Sequence, residues 1–228
     1  KDGVITDDNR IVASLDTINY ALDNGAKVIL LSHLGRIKEE SDKAKNDLRP
    51  VASRLSELIN KEVKFISDTD FNKISEELDG DFDIVLLQNT RYYDLDGNME
   101  SGNSEDLAKF YASLGDIFIN DAFGTIHRAH ASNVGIARLL PNGVGFLVEK
   151  ELKELEYLDN ADRPYVVILG GSKVSDKIKV IENLVTKCDK LIIGGAMAFT
   201  FLKAKGVNTG KSLVEDEYLD FCRDILSR

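Results

Sequence analysis

The sequence predicts an α/β protein with parallel sheets. Short apolar runs rich in β-branched residues alternate along the chain with longer amphipathic stretches, which is typical of strand–helix–strand units. The apolar runs are not interrupted by alternating polar residues, so we expect helices to cover both faces of the sheets. The rhythm stops near residues 141–164 and then starts again with a new strand and a glycine-rich loop. These observations favour two lobes over one continuous domain.

Six apolar segments are predicted to form strands: 28–32, 63–66, 84–88, 117–120, 166–169 and 191–193. Helical spacing of apolar residues is found at 10–23, 48–59, 104–114, 149–158, 176–186, 197–205 and 218–228. In the helix predicted at 176–186, the apolar stripe consists of Ile178, Ile181, Leu184 and Val185. The order of strands and helices predicts strand–helix–strand units in both halves of the chain.

The interruption near residues 141–164 predicts a domain boundary. Pro-Asn-Gly at 141–143 is typical of a turn, and Asp-Arg-Pro at 162–164 predicts a second break. Between them lies a charged helix whose leucines are expected to face inward, namely Leu152, Leu155 and Leu158. We therefore expect a first lobe at 1–142, a connector at 143–162 and a second lobe at 163–228.

Composition excludes several function classes. The 228 residues contain 29 Lys and Arg against 39 Asp and Glu, and the resulting charge of −10 disfavours nucleic-acid binding. No apolar run is long enough to cross a membrane and no signal segment opens the chain, so we expect a cytoplasmic protein without a membrane partner. Two cysteines and three histidines argue against a disulfide framework or a zinc site. Cys188 and Cys222 are interpreted as small buried hydrophobes in a reducing compartment.

Both ends of the chain are expected to be cut. Asp2-Gly3 has the sequence of a hairpin turn, but only Lys1 precedes it, and no initiator methionine is present. The last predicted helix has no Gly, Asn or Pro to end it. We therefore expect an internal piece of a longer polypeptide.

Basic side chains follow three of the predicted strands. The loops after the first, third and fourth strands carry Arg36, Arg91 and Arg128, and all three histidines fall in the same loops. Arg10 is expected to join them, because it follows a turn at 7–9. Since parallel strands end at one edge of a sheet, we predict a basic pocket for a small anion that binds the guanidinium groups. The alternative is that these arginines pair with surface carboxylates.

The histidines are interpreted as structural hydrogen-bonding residues, because no nucleophile accompanies them at the spacing of a triad.

Two Gly-Gly loops follow the fifth and sixth predicted strands. In the first loop Gly171 and Ser172 lead into Lys173, and Lys177 lies one turn further along. Glycine lets a ligand approach the backbone, and a helix start offers free N–H groups to an anion, so we predict a cradle for nucleotide phosphates. The alternative is that the glycines mark only close packing of a helix on a strand. No G-x-G-x-x-G fingerprint is present, which gives a dinucleotide enzyme little support.

Four segments together resemble one known family. They are Ser-His-Leu-Gly-Arg at 32–36, Asn-Asp-Ala-Phe-Gly-Thr at 120–125 running into His-Arg-Ala-His at 127–130, Gly-Gly-Ser-Lys-Val-Ser-Asp-Lys at 170–177, and Gly-Gly-Ala-Met-Ala-Phe-Thr-Phe at 194–201. In order and spacing they resemble phosphoglycerate kinase along essentially the whole chain. The resemblance implies two Rossmann-like, three-layer lobes with parallel sheets, the first without its opening strand and the second incomplete.

The resemblance also implies a function. It indicates a glycolytic kinase that moves a phosphoryl group from 1,3-bisphosphoglycerate to ADP, giving 3-phosphoglycerate and ATP, with Mg²⁺ carried by the nucleotide. The triose acid is expected to bind to residues of the first lobe, namely Arg10, His33, Leu34, Gly35, Arg36, Arg91 and Arg128. The nucleotide is expected to bind to residues of the second lobe, namely Gly171, Ser172, Lys173, Lys177, Gly194, Gly195 and Ala196.

Arg10 and Lys173 are expected to stabilise the transferring group, since phosphoryl transfer needs positioning and charge neutralisation more than covalent chemistry. No residue is assigned to a metal, and the full-length enzyme is expected to be monomeric. Family parts that would precede and follow the chain are absent from it, so the 228 residues alone are expected to lack appreciable kinase activity. Two alternatives stay open: another α/β enzyme of sugar phosphates or nucleotides, and a truncated, non-catalytic binding module.

Overall fold

A computed structural model describes residues 4–228. The chain packs into two compact units, one ending at Lys153 and the other beginning at Glu154. This boundary falls inside the predicted connector, and the roles expected for residues 1–142, 143–162 and 163–228 stay predictions. The hairpin turn considered for Asp2-Gly3 lies outside the described residues.

Every strand pairing in the described residues is parallel, which confirms the predicted α/β class. The strands are β1 (Val28–Leu30), β2 (Lys64–Ile66), β3 (Ile84–Leu87), β4 (Phe118–Asn120), β5 (Asn142–Val144), β6 (Val166–Gly170) and β7 (Lys190–Gly194). In the first unit one sheet has the order β1-β3-β2, and β4 pairs with β5. In the second unit β6 pairs with β7.

Strand β5 corrects the prediction of a simple turn at 141–143. It pairs in parallel with β4, and the Phe118 N–H donates to the Pro141 carbonyl at 2.9 Å. Asn and Gly have low strand propensity, so these residues taken alone indicate a turn. The neighbouring strand supplies the hydrogen bonds that hold them extended.

The helices mostly lie where apolar spacing predicts them. They are α1 (Asn9–Val12), α2 (Leu15–Asp23), α3 (Ser41–Lys45), α4 (Arg49–Ile59), α5 (Phe71–Leu78), α6 (Glu105–Ser113), α7 (Phe146–Asp159), α8 (Ile178–Val185), α9 (Ala198–Ala204) and α10 (Leu219–Ser227). The predicted helix 10–23 is divided in two near Ser14, whose hydroxyl donates to the Ile11 carbonyl at 2.7 Å. None of the helices within residues 4–228 has the length and apolar content needed to span a bilayer.

Two helices were not predicted. Helix α3 is short and largely charged, so it has no apolar stripe to detect. Helix α5 begins at the N-cap Asp70, whose carboxylate accepts the N–H groups of Asn72 and Lys73. That capping residue was the signal for α5 in the sequence.

Strand β3 is buried on both faces, as its unbroken apolar sequence predicts. Val85 and Leu87 belong to an apolar cluster that includes α6, whereas Ile84 and Leu86 belong to a second cluster that includes α4. Alternate residues of a strand point to opposite faces. Helices therefore cover both sides of this sheet.

The second unit covers only one face of its sheet within the described residues. Helices α8, α9 and α10 all contribute to a single apolar cluster, in which Cys222 is buried as predicted. Cys188 is only half-buried, so the prediction of a buried side chain is wrong for that cysteine. Ile168 of β6 is 75% exposed and Ile192 of β7 is 50% exposed. Within the described residues the expected cover is thus found on one face of this sheet, because these helices all pack on the same side.

The prediction that the leucines of α7 face inward is also wrong. Leu152, Leu155 and Leu158 are exposed, whereas Val148 in the first turns of the helix is fully buried. Their spacing is that of an apolar stripe, but no described residue covers it.

Candidate functional site

Cationic residues of the first unit converge on His33, which lies in the loop after β1. Burial lowers the pKa of the His33 imidazole, and the positive charges of Arg91 and Arg128 lower it further. His130 and Arg10 act in the same direction. Charges influence a side chain in this way only at short range, because salt and water screen distant groups. The structure thus brings together side chains from α1 and from the loops after β1, β3 and β4.

The guanidinium groups of the first unit are not equally free. Arg10 and Arg36 are exposed and Arg128 is half-buried, and none of these side chains has a hydrogen bond or ion pair within residues 4–228. The Arg91 side chain is only 13% exposed, and its Nη1 donates to the Asp94 carboxylate at 3.1 Å. Pairing with a carboxylate thus applies to Arg91, whereas Arg10, Arg36 and Arg128 are available to an anion.

Asn89 joins the His33 loop to the Arg91 loop, and the sequence analysis missed it. Its buried side chain accepts the N–H groups of Leu34 at 3.2 Å and Arg91 at 3.0 Å. It donates to the carbonyls of Leu34 at 2.8 Å and Asn46 at 2.9 Å. The signal was a pair of polar residues, Gln88 and Asn89, following the apolar strand β3, where an unpaired amide would be costly.

Gly35 is required by the shape of the same loop. Its φ of +64° is a conformation that other residues rarely adopt, and a Cβ here would overlap the side chain of Asn46. Leu34 is exposed, but Asn89 holds its backbone through both the N–H and the carbonyl. These residues give the loop a defined path beside His33.

Asn133 holds the turn that carries Arg128. Its Nδ2 donates to the carbonyls of Arg128 at 2.9 Å and Thr125 at 3.2 Å. Its Oδ1 accepts from Nδ2 of Asn120 at 2.7 Å, and Asn120 is the last residue of β4. The backbone that carries the Arg128 guanidinium is therefore tied directly to the end of the sheet.

The two Gly-Gly loops of the second unit contact each other. Gly170 pairs with Gly194 between β6 and β7, and the Met197 N–H donates to the Gly171 carbonyl at 3.0 Å. Gly195 has a φ of +70°, and a Cβ there would lie 2.6 Å from the Gly171 carbonyl oxygen. Close packing of the two loops is thus sufficient to require glycine at position 195.

Glu215 occupies N–H groups that were expected to be free for an anion. Its carboxylate accepts the N–H groups of Val174 at 2.6 Å and Ser175 at 3.2 Å, and the Ser175 hydroxyl at 2.6 Å. Burial raises the pKa of Glu215, but the hydrogen bonds from Ser175 and Val174 outweigh it and hold the pKa below its usual value. The expectation of free N–H groups is therefore wrong at these two positions.

Positive side chains remain available beside the glycine loops. Lys173 and Ser172 are exposed, and the half-buried Lys177 packs along Gly171, with its Cγ and Cε each 3.9 Å from where a Cβ would stand. Neither lysine has a carboxylate within ion-pair distance in the described part of the chain. Ala196 is half-buried between the Gly195 turn and α9. The second unit therefore offers an anion two lysine charges.

The chain is similar to known proteins of one family. The family model described as phosphoglycerate kinase matches residues 1–228. Relatives include the phosphoglycerate kinases of Fusobacterium nucleatum subsp. nucleatum, 57% identical over 234 residues, and Enterococcus faecalis, 54% identical over 232 residues. These alignments cover 100% of this chain but only 59% and 58% of the two relatives.

Solved structures show the same similarity. Phosphoglycerate kinase from Coxiella burnetii matches with a TM-score of 0.85 and 42% identity, covering 100% of this chain and 56% of that one. Phosphoglycerate kinase from Pyrococcus horikoshii OT3 matches with a TM-score of 0.79 and 32% identity, covering 100% of this chain and 59% of that one. With a family match along its whole length and the parallel α/β architecture of these structures, the chain belongs to the phosphoglycerate kinase family.

Proposed function

We propose that this chain is part of a phosphoglycerate kinase, which transfers a phosphoryl group between 1,3-bisphosphoglycerate and ADP to give 3-phosphoglycerate and ATP. The chain spans 59% or less of the length of the relatives named above, so the reaction is proposed for the whole protein. The observation that carries the proposal is the family match along residues 1–228. The positive charges of Arg91, Arg128 and Arg10 that act on His33, in a chain of net charge −10, support an anion site in the first unit. The expectation that these 228 residues alone lack appreciable activity stays a prediction, which a coupled turnover assay tests.

The first unit is proposed to bind the triose acid. The carboxylate and phosphate groups of the triose acid are anions that planar guanidinium groups bind through two parallel hydrogen bonds. Arg10, Arg36 and Arg128 are unpaired and can supply those bonds, whereas Arg91 adds a fixed positive charge. The lowered pKa of His33 favours its neutral form, and a neutral imidazole can still donate one hydrogen bond.

The second unit is proposed to bind the nucleotide. Lys173 and Lys177 would neutralise phosphate charge, and the loops of Gly171, Ser172, Gly194, Gly195 and Ala196 would lie against the nucleotide. Arg10 and Lys173 are proposed to stabilise the transferring group electrostatically. Mg²⁺ is proposed to arrive with the nucleotide as part of the substrate, and no residue here is assigned to it. A monomeric state, a cytoplasmic location and the absence of nucleic-acid and membrane partners stay predictions.

Titration of the 228-residue chain with 3-phosphoglycerate by isothermal calorimetry tests the first-unit site. Arg128→Ala is expected to weaken binding about tenfold or more, because a hydrogen bond to a charged group contributes roughly 1.5–3 kcal/mol. Arg138→Ala is the matched control, since Arg138 is exposed and does not act on His33. Undiminished binding by Arg128→Ala, or an equal loss in Arg138→Ala, would contradict the proposed pocket.

A further inference from the structure

Glu100 is a buried carboxylate, 1% exposed, that holds the segment following Arg128. Its Oε2 accepts the Ser132 N–H at 3.1 Å, and its Oε1 accepts the Ser132 hydroxyl. Its backbone carbonyl accepts the Ala131 N–H at 3.0 Å, and Nδ1 of His130 lies 3.6 Å from Oε1. Glu100 therefore hydrogen-bonds two consecutive residues, Ala131 and Ser132, and its carboxylate lies beside a third, His130.

The same glutamate also reaches the segment that carries Arg91. Thr90 is fully buried, and its side chain lowers the pKa of the Glu100 carboxyl. Ser101, the next residue along the chain, accepts Nη1 of Arg91 at 2.7 Å. Burial raises the pKa of Glu100, and the hydrogen bonds from Ser132 oppose that effect. Glu100 and Ser101 together connect the two segments that carry Arg91 and Arg128.

Stability alone does not account for a carboxylate in this place. Burying a carboxylate is costly, and replacing a whole buried ion pair by apolar residues of similar volume is often neutral or stabilising. An apolar side chain, however, cannot accept the Ser132 N–H and hydroxyl. The distinctive effect of Glu100 is thus the fixed orientation of the backbone at 130–132.

We propose that Glu100 is a positioning residue of the anion site, whose carboxylate sets the segment 128–132 relative to Arg91 and thereby the affinity for the triose acid. This inference rests on the proposed function of the site. Glu100 is too deeply buried to touch the acid itself, and it acts through Ser132, Ala131 and Arg128. Glu100 positions the unpaired guanidinium group of Arg128, whose contribution to binding depends on where the backbone of Arg128 lies.

Three variants of the full 228-residue chain test the inference. Calorimetry measures affinity for 3-phosphoglycerate, and amide hydrogen exchange follows residues 128–133. Glu100→Leu removes both acceptor oxygens and is therefore expected to weaken binding about tenfold or more. It is also expected to raise the rate of amide exchange at Ala131 and Ser132 by about tenfold or more. Glu100→Gln keeps one acceptor oxygen and is expected to stay within about threefold of the parent. Glu105→Gln, an exposed glutamate of α6, is the matched control and is expected to change neither quantity.

The urea midpoint separates positioning from a purely structural role. Glu100→Leu leaves the Ser132 N–H and hydroxyl without their acceptor, so its midpoint is expected to fall. A positioning role predicts that the folded variant also loses affinity, whereas Ile74→Val, a core variant of the first unit, lowers the midpoint without changing affinity. Unchanged affinity and exchange in Glu100→Leu, or a loss no larger than that of Glu105→Gln, would overturn the inference. If Glu100→Leu does not fold, Ser132→Ala decides, with increased exchange at 130–132 and weaker binding expected.

Failure of the proposed function is recognised separately. A parent chain that does not bind 3-phosphoglycerate refutes the proposed site. In that case hydrogen exchange alone still decides whether Glu100 fixes the segment 130–132.

Discussion

Replacing Asn89 by alanine removes four hydrogen bonds that join two loops of the candidate anion site. The lost partners are the N–H groups of Leu34 and Arg91 and the carbonyls of Leu34 and Asn46. A neutral hydrogen bond contributes about 1 kcal/mol net to stability, which gives an upper figure of about 4 kcal/mol. Leu34 is exposed, so water can satisfy its two backbone groups after the change. We therefore expect Asn89→Ala to lower the free energy of unfolding of the first unit by about 2–3 kcal/mol.

Urea unfolding followed by far-UV circular dichroism and tyrosine fluorescence measures this loss, since the chain has 7 Tyr and no Trp. Asn24→Ala is the matched control, because its exposed Nδ2 makes one hydrogen bond, to the Tyr20 carbonyl at 2.8 Å. That variant is expected to lose about 0.5 kcal/mol or less. Because the chain has two compact units, hydrogen exchange at residues 84–94 assigns the loss to the first unit. Equal losses in the two variants would refute the reasoning.

Two further predictions concern a glycine and a histidine. Gly195→Ala is expected to lower the free energy of unfolding in urea by about 1–2 kcal/mol more than Gly206→Ala does. Both glycines have a positive φ, but only a Cβ at position 195 would meet the Gly171 carbonyl oxygen, at 2.6 Å. Equal losses in the two variants would show that packing is not what requires glycine at position 195. Saturating 3-phosphoglycerate is expected to raise the pKa of His33 as followed by NMR, because the anion neutralises the positive charges that now lower it; an unmoved pKa would place the anion elsewhere. Because the pKa of His33 is lowered in the folded chain, the unfolded state binds more protons as the pH falls below 6.5, the ordinary pKa of histidine. The chain without ligand is therefore expected to become less stable as the pH falls below that value.

The local pattern of apolar and polar residues was sufficient to predict most of the secondary structure. The unbroken apolar sequence of β3 predicts a strand covered on both faces, and helices lie on both. The similar sequence of β6 predicts the same, yet Ile168 is 75% exposed. The pattern reports which residues a strand could bury, whereas coverage depends on where helices pack. The prediction of a turn at 141–143 was wrong for a related reason, because pairing with β4 is what holds Asn142 and Gly143 extended in β5.

Pairing over long stretches of chain explains what the sequence analysis missed in the site. Asn89 bonds Leu34 across 55 positions, Glu215 bonds Val174 across 41, and Glu100 bonds Ser132 across 32. No spacing rule relates such residues, because the fold alone brings them together. The positions of the charged side chains were easier to predict than these pairings. Arginines and lysines that follow parallel strands are expected at one edge of the sheet, whatever their bonding partners. The same reasoning went wrong at Val174 and Ser175, whose N–H groups bind Glu215 instead of remaining free.

Cations without a bonded partner among residues 4–228 and buried polar side chains therefore have separable effects in this site. Arg128 makes no side-chain bond within residues 4–228, so Arg128→Ala removes affinity for the acid and is expected to shift the free energy of unfolding by about 0.5 kcal/mol or less. Asn89→Ala is expected to lower both quantities, because the loops lose their connection along with their hydrogen bonds. Measuring affinity and stability on both variants tests the separation directly. If Arg128→Ala proves as destabilising as Asn89→Ala, the guanidinium supports the fold and is not a free ligand for an anion.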